Sequence, residues 1–536
     1  MSLHGVPWGL KYRNDLWHRL SSDERPWDLV IIGGGITGAG ILREAARRGL
    51  KVLLVEQKDF AWGTSSRSSK MVHGGLRYVA EGEIRLTKEA VQERERFLQE
   101  VPGLVDPLGN VFLHFKRKFP TPFIFQTLLR LYDFFAGKKN RRYIARNDVS
   151  FWAPYARQEG LLGASQFMDA VTDDSRLVFR VLREAAWDGG DAINYVTADE
   201  TLKQNGKVTG LRVTDNESGE TCAINAKVVV SATGTWADQW RDTTLDSLRV
   251  RPLRGSHIVL PRWKLPVAQS IMMMHPKDKR PLFVFPWEGA TVIGTTDLDH
   301  QQDLNAEAVI TREEINYLFE SVAYQFPGIK LSDKDVIATY AGVRPVVSNV
   351  ASKGKGLKPS QERREHTIWQ EPGLIAVSGG KLTTFRVIAL DVLNAAANEL
   401  NIKVHDVGSA VFQATPASAA PADLPLGLRQ RVAGHYGPDL DQVISSVVKT
   451  DLREIDGLPT LWVELEWAVK GEMIVHLDDL LLRRTRLGLL LPQGGESVMA
   501  RVKVMCQQHL GWDDAKWQKE VVRYRKLWAA NYSLPQ

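Results

Sequence analysis

The segment that most restricts what this chain can become is DLVIIGGGITGAG at residues 28–40. The apolar run from Trp27 to Ile32 reads as a short strand buried on both faces. It ends in glycines, and Ile36, Ala39, Ile41, Leu42 and Ala45 then recur at helical spacing. KVLLV at 51–55 gives a second strand. Strand, turn, helix and strand in this order make a βαβ unit with a right-handed crossover, the usual opening of a doubly wound parallel sheet. Gly33, Gly35 and Gly38 stand as G-x-G-x-x-G at the strand-to-helix turn, with Gly34 and Thr37 between them. Missing side chains there let a pyrophosphate reach the N–H groups of the helix N-terminus. Glu56 ends the second strand, placed to accept hydrogen bonds from a ribose. A glycine-rich turn alone also occurs in ordinary α/β folds, so the argument rests on the full context.

At 536 residues the chain exceeds one compact core, and two or three domains are expected. VVVSATG (228–234), ATVIGTTD (290–297) and GLIAVSGG (373–380) predict later strands, and the nucleotide domain is expected to be discontinuous, over 25–80, 155–240 and 335–400. Residues 81–154 and 241–334 alternate strand and helix patterns, as an inserted α+β substrate domain does. The small, Pro-rich ATPASAAPADLP (414–425) closes a linker over 401–425, and helical periodicity dominates 426–536. The expected fold class is therefore α/β: a Rossmann-like dinucleotide-binding domain with an inserted α+β domain and a C-terminal helical domain. The run RRTR (483–486) reads as a solvated helix end, with a partner-facing surface as the alternative.

Residues 1–24 read as a polar leader lacking the apolar core of a secretory signal. No stretch is apolar for long enough to span a bilayer as a helix, so membrane contact is expected to be peripheral. A formal charge of +6 over this surface implies no nucleic-acid partner. Cys222 and Cys506 form no disulfide framework and no metal cluster, which fits a reducing compartment. KRKFPTPFIFQTLLRLYDFFAGKKNRR (116–142) sets an aromatic stretch between two basic clusters. It suits a segment lying in the headgroups of an anionic membrane; a helix packed on the core with solvated ends is the alternative.

Choosing between flavin and nicotinamide needs more than the glycine turn, because both cofactors offer it the same adenosine diphosphate. GTSSRSSKMVHGGLRY (63–78) is dense in hydroxyls and glycines where an extended dinucleotide would continue. Its candidate contacts are Thr64, Ser65, Ser66, Ser69, Lys70, His73, Gly74 and Gly75. Ala232 and Gly234 end another strand, and Gly380, Lys381, Leu382 and Thr383 form a further strand-to-helix turn. That turn and Lys381 favour the negative charge that develops on a flavin pyrimidine as it is reduced.

DLVIIGGGITGAGI, TSSRSSKMVHGGLRY, GSHIVL, GTTD, YAGVRP and GGKLTTFR, in this order, resemble the signature of the FAD-dependent glycerol-3-phosphate dehydrogenases. The resemblance runs from about residue 27 to the C-terminal HLDDLLLRRTRLG, weakening over 81–160 and 400–460. It implies FAD as cofactor, sn-glycerol 3-phosphate as substrate, and a quinone at the cytoplasmic face of the inner membrane as acceptor. It places Arg77, Tyr78, Arg344 and Lys381 around the triose phosphate and His257 in the active site. A phosphate dianion calls for arginines able to form paired, charge-assisted bonds, and Arg77 and Arg344 each follow glycine-containing turns. Without the family, each arginine reads as a surface ion pair. Arg364 lies where the family pattern is altered.

The implied reaction moves the C2 hydrogen as hydride to the flavin while a base takes the hydroxyl proton. His257 is the first choice for that base, a structural hydrogen-bonding role being the alternative. Catalytic roles are thus expected of His257, Arg344 and Lys381. A glycerol-3-phosphate oxidase passing electrons to oxygen, and a nucleotide-binding protein without chemistry, stay open as rival readings. The oligomeric state is not written in any motif, and a homodimer stays open.

Overall fold

The strand Trp27–Ile32 occupies the middle of a parallel sheet, as its unbroken apolar run requires. The computed structural model of the chain describes residues 8–22, 25–76, 79, 82–349, 365–405, 408–445 and 451–535. Trp27–Ile32 pairs in parallel with Val52–Glu56 on one side and Thr221–Ser231 on the other. Asp191–Asn194 and Leu374–Gly379 extend the parallel order outward, and His366–Glu371 adds an antiparallel edge. The direction of chain progression therefore reverses beside Trp27–Ile32, the switch point at whose carboxyl side ligands bind in such sheets. Helix Ile36–Ala46 packs on helices Asp174–Trp187 and Phe385–Leu400 to bury this sheet.

A second, mostly antiparallel sheet is built around Leu248–Pro261. That strand pairs with Ala338–Asn349 and with Ala290–Gly294. Val105–Phe115, Leu161–Thr172, Ser270–Met274, Pro281–Trp287, Met71–Val72 and the short Leu298–Asp299 complete its main run. The strand expected near 290 forms as Ala290–Gly294 and belongs to this sheet. Leu161–Thr172 and Ala338–Asn349 lie within stretches expected for the nucleotide domain, yet antiparallel pairing, not sequence proximity, claims them for the second sheet.

The C-terminal part is helical, with helices such as Trp462–Gly471, Met499–Leu510 and Asp514–Asn531, plus a small hairpin, Glu454–Ile455 with Leu458–Leu461. Its apolar side shares a core with Val259, Phe285, Trp287 and Val292 of the second sheet.

Three further expectations are corrected. Within the polar leader, Leu10–Ser22 is a helix that buries Tyr12, Leu16, Trp17 and Leu20 and pairs Arg13 with Asp215 at 2.7 Å. The spacing of Tyr12, Leu16 and Leu20 makes an apolar stripe that its polar composition hides. The expected linker is anchored, since Val411 and Phe412 are buried in the nucleotide-domain core and the Arg43 side chain donates to Val411 O. RRTR is the reverse of a solvated helix end: Arg483, Arg484 and Arg486 are all buried. Both cysteines are free thiols.

Candidate active site

The carboxyl ends of the parallel strands open into a cavity of about 1740 Å³. Gly33, Gly35, Thr37 and Glu56 line it from the first βαβ unit, Ala232 and Gly234 from the next strand, and Gly380, Lys381, Leu382 and Thr383 from the last. Thr64, Ser65, Ser69, His73 and Gly75 line it from the hydroxyl-rich segment, and Arg344 from the second sheet. One cavity therefore joins the glycine turn to Arg344, across more than 300 residues of sequence.

The glycine turn is built tightly. Gly33 sits at φ +108°, a region that side chains disfavour, and a Cβ on Gly38 would meet Gly33 O at 1.9 Å. Ser65 Oγ accepts from Ile36 N at 2.9 Å, tying the hydroxyl-rich segment to the helix N-terminus. The Glu56 carboxylate accepts from Gly34 N at 2.6 Å and Lys58 N at 2.9 Å, and burial holds its pKa above the usual range.

Antiparallel register gathers three of the motifs. Gly255 lies opposite Gly342 and His257 opposite Tyr340, while on the other side His257 faces Gly294. Both glycines make room: a Cβ on Gly255 would sit 2.2 Å from Arg344 Nη2, and one on Gly294 would sit 2.1 Å from the His257 ring. Arg344 donates to Asp297 Oδ1 and to Thr295 Oγ1, each at 3.0 Å, so GTTD aims the guanidinium. Arg280 pairs with the same Asp297 at 3.2 Å, and Lys279, Arg280 and Thr295 also line the cavity. Lys279 and Arg280 lie in no motif, and sequence reading did not single them out.

Other expected residues stand behind the wall. His257 is buried, stacked on Tyr340 at 4.5 Å, and its Nε2 meets Ser69 Oγ at 2.9 Å. Burial, and then the nearby Arg344 and Lys70, push its pKa well below the ordinary imidazole value. It reaches the cavity through the Ser69 hydroxyl. Lys70 faces away, its Nζ donating to Ser66 O at 2.7 Å and pairing with Asp174 at 2.7 Å. A buried ammonium needs such a partner, which is why Lys70 turns inward rather than toward a cofactor. Burial, then Arg486, press it to about 7 against the pull of Asp174. Gly34, Gly38, Ser66 and Gly74 likewise shape the wall from behind it. Arg77, Tyr78 and Arg364 lie outside the described residues.

Residues 28–389 match the family model "FAD dependent oxidoreductase", and 391–517 match "C-terminal domain of alpha-glycerophosphate oxidase". An aerobic glycerol-3-phosphate dehydrogenase of Staphylococcus epidermidis is 34% identical over 488 residues, covering 86% of each chain. That of Staphylococcus aureus is 33% identical over 502 residues and 88% of each chain. The chain belongs to the FAD-dependent glycerol-3-phosphate dehydrogenase family. The solved glycerol-3-phosphate dehydrogenase of Bacillus halodurans complexed with FAD superposes with a TM-score of 0.75 at 26% identity, over 97% of this chain and 98% of that one. L-α-glycerophosphate oxidase of Mycoplasma pneumoniae, at 17% identity and a TM-score of 0.55, shares the fold.

FAD is the cofactor of this flavoprotein oxidoreductase, and the residues present fit it. Among ligand cavities, typically about 300–1,000 Å³, one of about 1740 Å³ has room for an extended dinucleotide and a small second ligand. Its floor is a glycine cradle at a helix N-terminus, with the Glu56 carboxylate at one end and Lys381 in the turn that opens helix Phe385–Leu400 at the other.

Proposed function

We propose that this chain oxidises sn-glycerol 3-phosphate to dihydroxyacetone phosphate and passes the electrons to a quinone at an anionic membrane surface. The substrate reading is carried by one observation: Arg344, aimed by Thr295 and Asp297 through the space left by Gly255, lines the cavity beside the flavin turn. A guanidinium so held suits a phosphate dianion. The names of the Staphylococcus relatives point to the same substrate. Arg280 and Lys279 add positive charge on the wall.

When bound, FAD supplies hydride acceptance, and the chain supplies the rest. Arg344 holds the phosphate and so fixes which carbon faces the flavin. Lys381 stabilises negative charge at the opening of its helix. A proton must leave the C2 hydroxyl. Among the described imidazoles, His73 and His114 line the cavity, and burial pushes His114 down to about 4. We assign the proton to His73, whose backbone is fixed to Thr383 by bonds of 3.2 and 3.4 Å. His257, expected as the base, becomes a positioning residue that orients Ser69. Stopped-flow flavin bleaching tests the division: His73→Asn slows reduction about 100-fold or more, His257→Asn much less. The reverse order restores His257 to the base role.

The quinone reading over the oxidase one rests on the segment 116–142. Phe119, Phe123 and Phe134 are 76–78% exposed, flanked by exposed Lys116, Arg117, Lys118, Lys138 and Lys139. Arg117, Lys118 and Phe119 also line the cavity, which continues there past Phe112, Leu128 and Met272 as an apolar arm. Among the described residues no helix is long and apolar enough to cross a bilayer. The chain then works as a peripheral enzyme on the cytoplasmic face of the inner membrane. An anaerobic titration with glycerol 3-phosphate, followed by separate quinone-reduction and peroxide assays, checks substrate and acceptor; peroxide formation at the full flavin-reduction rate makes it an oxidase.

A further inference from the structure

The task of the helical domain is not given by its place in the family. Residues 64–70, which place Thr64, Ser65 and Ser69 on the cavity wall, are held at almost every step. The Thr64 hydroxyl bonds Val343 O, Ser65 caps the glycine-turn helix, and Ser69 meets His257. Asp174 accepts from Ser68 N at 2.9 Å and from Ser68 Oγ at 2.7 Å. Two of the holds come from the C-terminal domain. Arg486 Nη2 donates to Ser66 O at 2.6 Å and to Asp174 Oδ1 at 3.1 Å. Tyr532 OH accepts from Arg67 Nη2 at 3.0 Å. Upstream of the segment, Asp59 is gripped by Arg483 and Arg484 of the same RRTR run. Arg486 itself stands at φ +61°, a conformation that a non-glycine side chain adopts only where its surroundings fix it.

We propose that the helical domain is part of the cofactor site: Arg486, as a positioning residue, presets the 64–70 segment for FAD, with Tyr532 in support. The segment is short and polar, and its own secondary structure amounts to a single 3-10 turn at Thr64–Ser66, too little to fix it by itself. An ordering cost left to the moment of cofactor binding weakens binding, and a prior clamp removes that cost. The Ser66 carbonyl is the point of purchase because it lies beside Ser65, the residue that joins the segment to the dinucleotide helix. This rests on FAD as cofactor and is independent of which alcohol or acceptor is used.

The test uses purified holoenzyme well below its melting temperature, reading the rate of FAD release on dilution by flavin fluorescence and the visible circular dichroism of bound flavin. Arg486→Gln is expected to release FAD about tenfold faster or more, the loss of a charged hydrogen bond, with an altered dichroism band; Arg486→Lys falls between. Arg431→Gln is the control. Arg431 pairs with Glu464 and Glu288 in the same part of the molecule and touches none of residues 64–70. It lowers Tm but keeps wild-type flavin release. Should Arg486→Gln not fold, Tyr532→Phe removes a single hydroxyl and is expected to speed release about threefold. The proposal is overturned if the folded Arg486 variant, or Tyr532→Phe in its place, keeps FAD and its dichroism as the wild type does. It is equally overturned if Arg431→Gln, at matched loss of Tm, releases FAD as fast.

Discussion

Arg344 shows how much of the fold goes into aiming one cavity-lining side chain. Its direction is set by Asp297 and Thr295, its space by Gly255, and its place on the wall by pairing of its strand with Leu248–Pro261. Arg344→Ala is expected to raise KM for glycerol 3-phosphate about 10- to 100-fold, the worth of a charge-assisted bond. FAD content, read from the absorbance ratio, stays unchanged. His476 makes a different prediction. Its ring nitrogens face Glu520 at 3.1 Å and Glu217 at 3.3 Å. Burial alone would lower its pKa, but these two carboxylates carry it up to about 9. A folded value above the unfolded one near 6.5 means the stabilisation is complete below about pH 6.5 and is lost as pH rises through 9. Melting curves from pH 6 to 9.5 should fall on the alkaline side, and His476→Gln should flatten that fall.

At the scale of elements, helix Pro122–Ala136 has two unlike faces, one buried and one exposed. Thr121 caps it, Pro122 opens it, and Gly137 at φ +66° closes it. Phe125, Leu129 and Tyr132 turn inward, and the Tyr132 hydroxyl bonds Asp169 and accepts from Gly74 N, beside His73. Phe123 and Phe134 turn outward. The segment 116–142 was legible as an aromatic stretch between basic clusters, and one face of its helix packs on the core, as the alternative reading had it. Phe123→Asp with Phe134→Asp is expected to cut cosedimentation with anionic vesicles at least about tenfold, since each buried ring contributes about 1.5–3 kcal/mol. Flavin reduction by substrate should persist. Unaltered cosedimentation would remove this helix from the membrane account.

Across the whole molecule, buried ion pairs bind the helical domain to the nucleotide domain. Arg176 grips Glu472, Arg183 grips Asp439, and Arg483 and Arg484 converge on Asp59, whose carboxylate is fully buried. Such pairs are costly to break from one side, because the partner is left charged and dry. Asp59→Ala strands two guanidinium groups and is expected to destabilise by about 3–5 kcal/mol, seen as a lower Tm. Asp59→Asn, which keeps the bond from Asn194 within reach, should cost less.

The linear chain determined the dinucleotide turn, the parallel strands around it and the composition of the cofactor wall, because those depend on local periodicity and on glycines whose backbone needs are local. The ordered motifs likewise carried the family. What only folding decided was which residues face the cavity and which stand behind it. Lys70 and His257 sit in motifs as conspicuous as those of Ser69 and Arg344, yet burial and a carboxylate turned Lys70 inward and an aromatic stack set His257 behind a serine. RRTR reads as solvent-facing in sequence although Asp478 and Asp479 stand just before it, because its other acids, Asp59 for Arg483 and Arg484 and Asp174 for Arg486, lie more than 300 residues away. Charge complementarity at that separation has no local signal, and only tertiary contact reveals it.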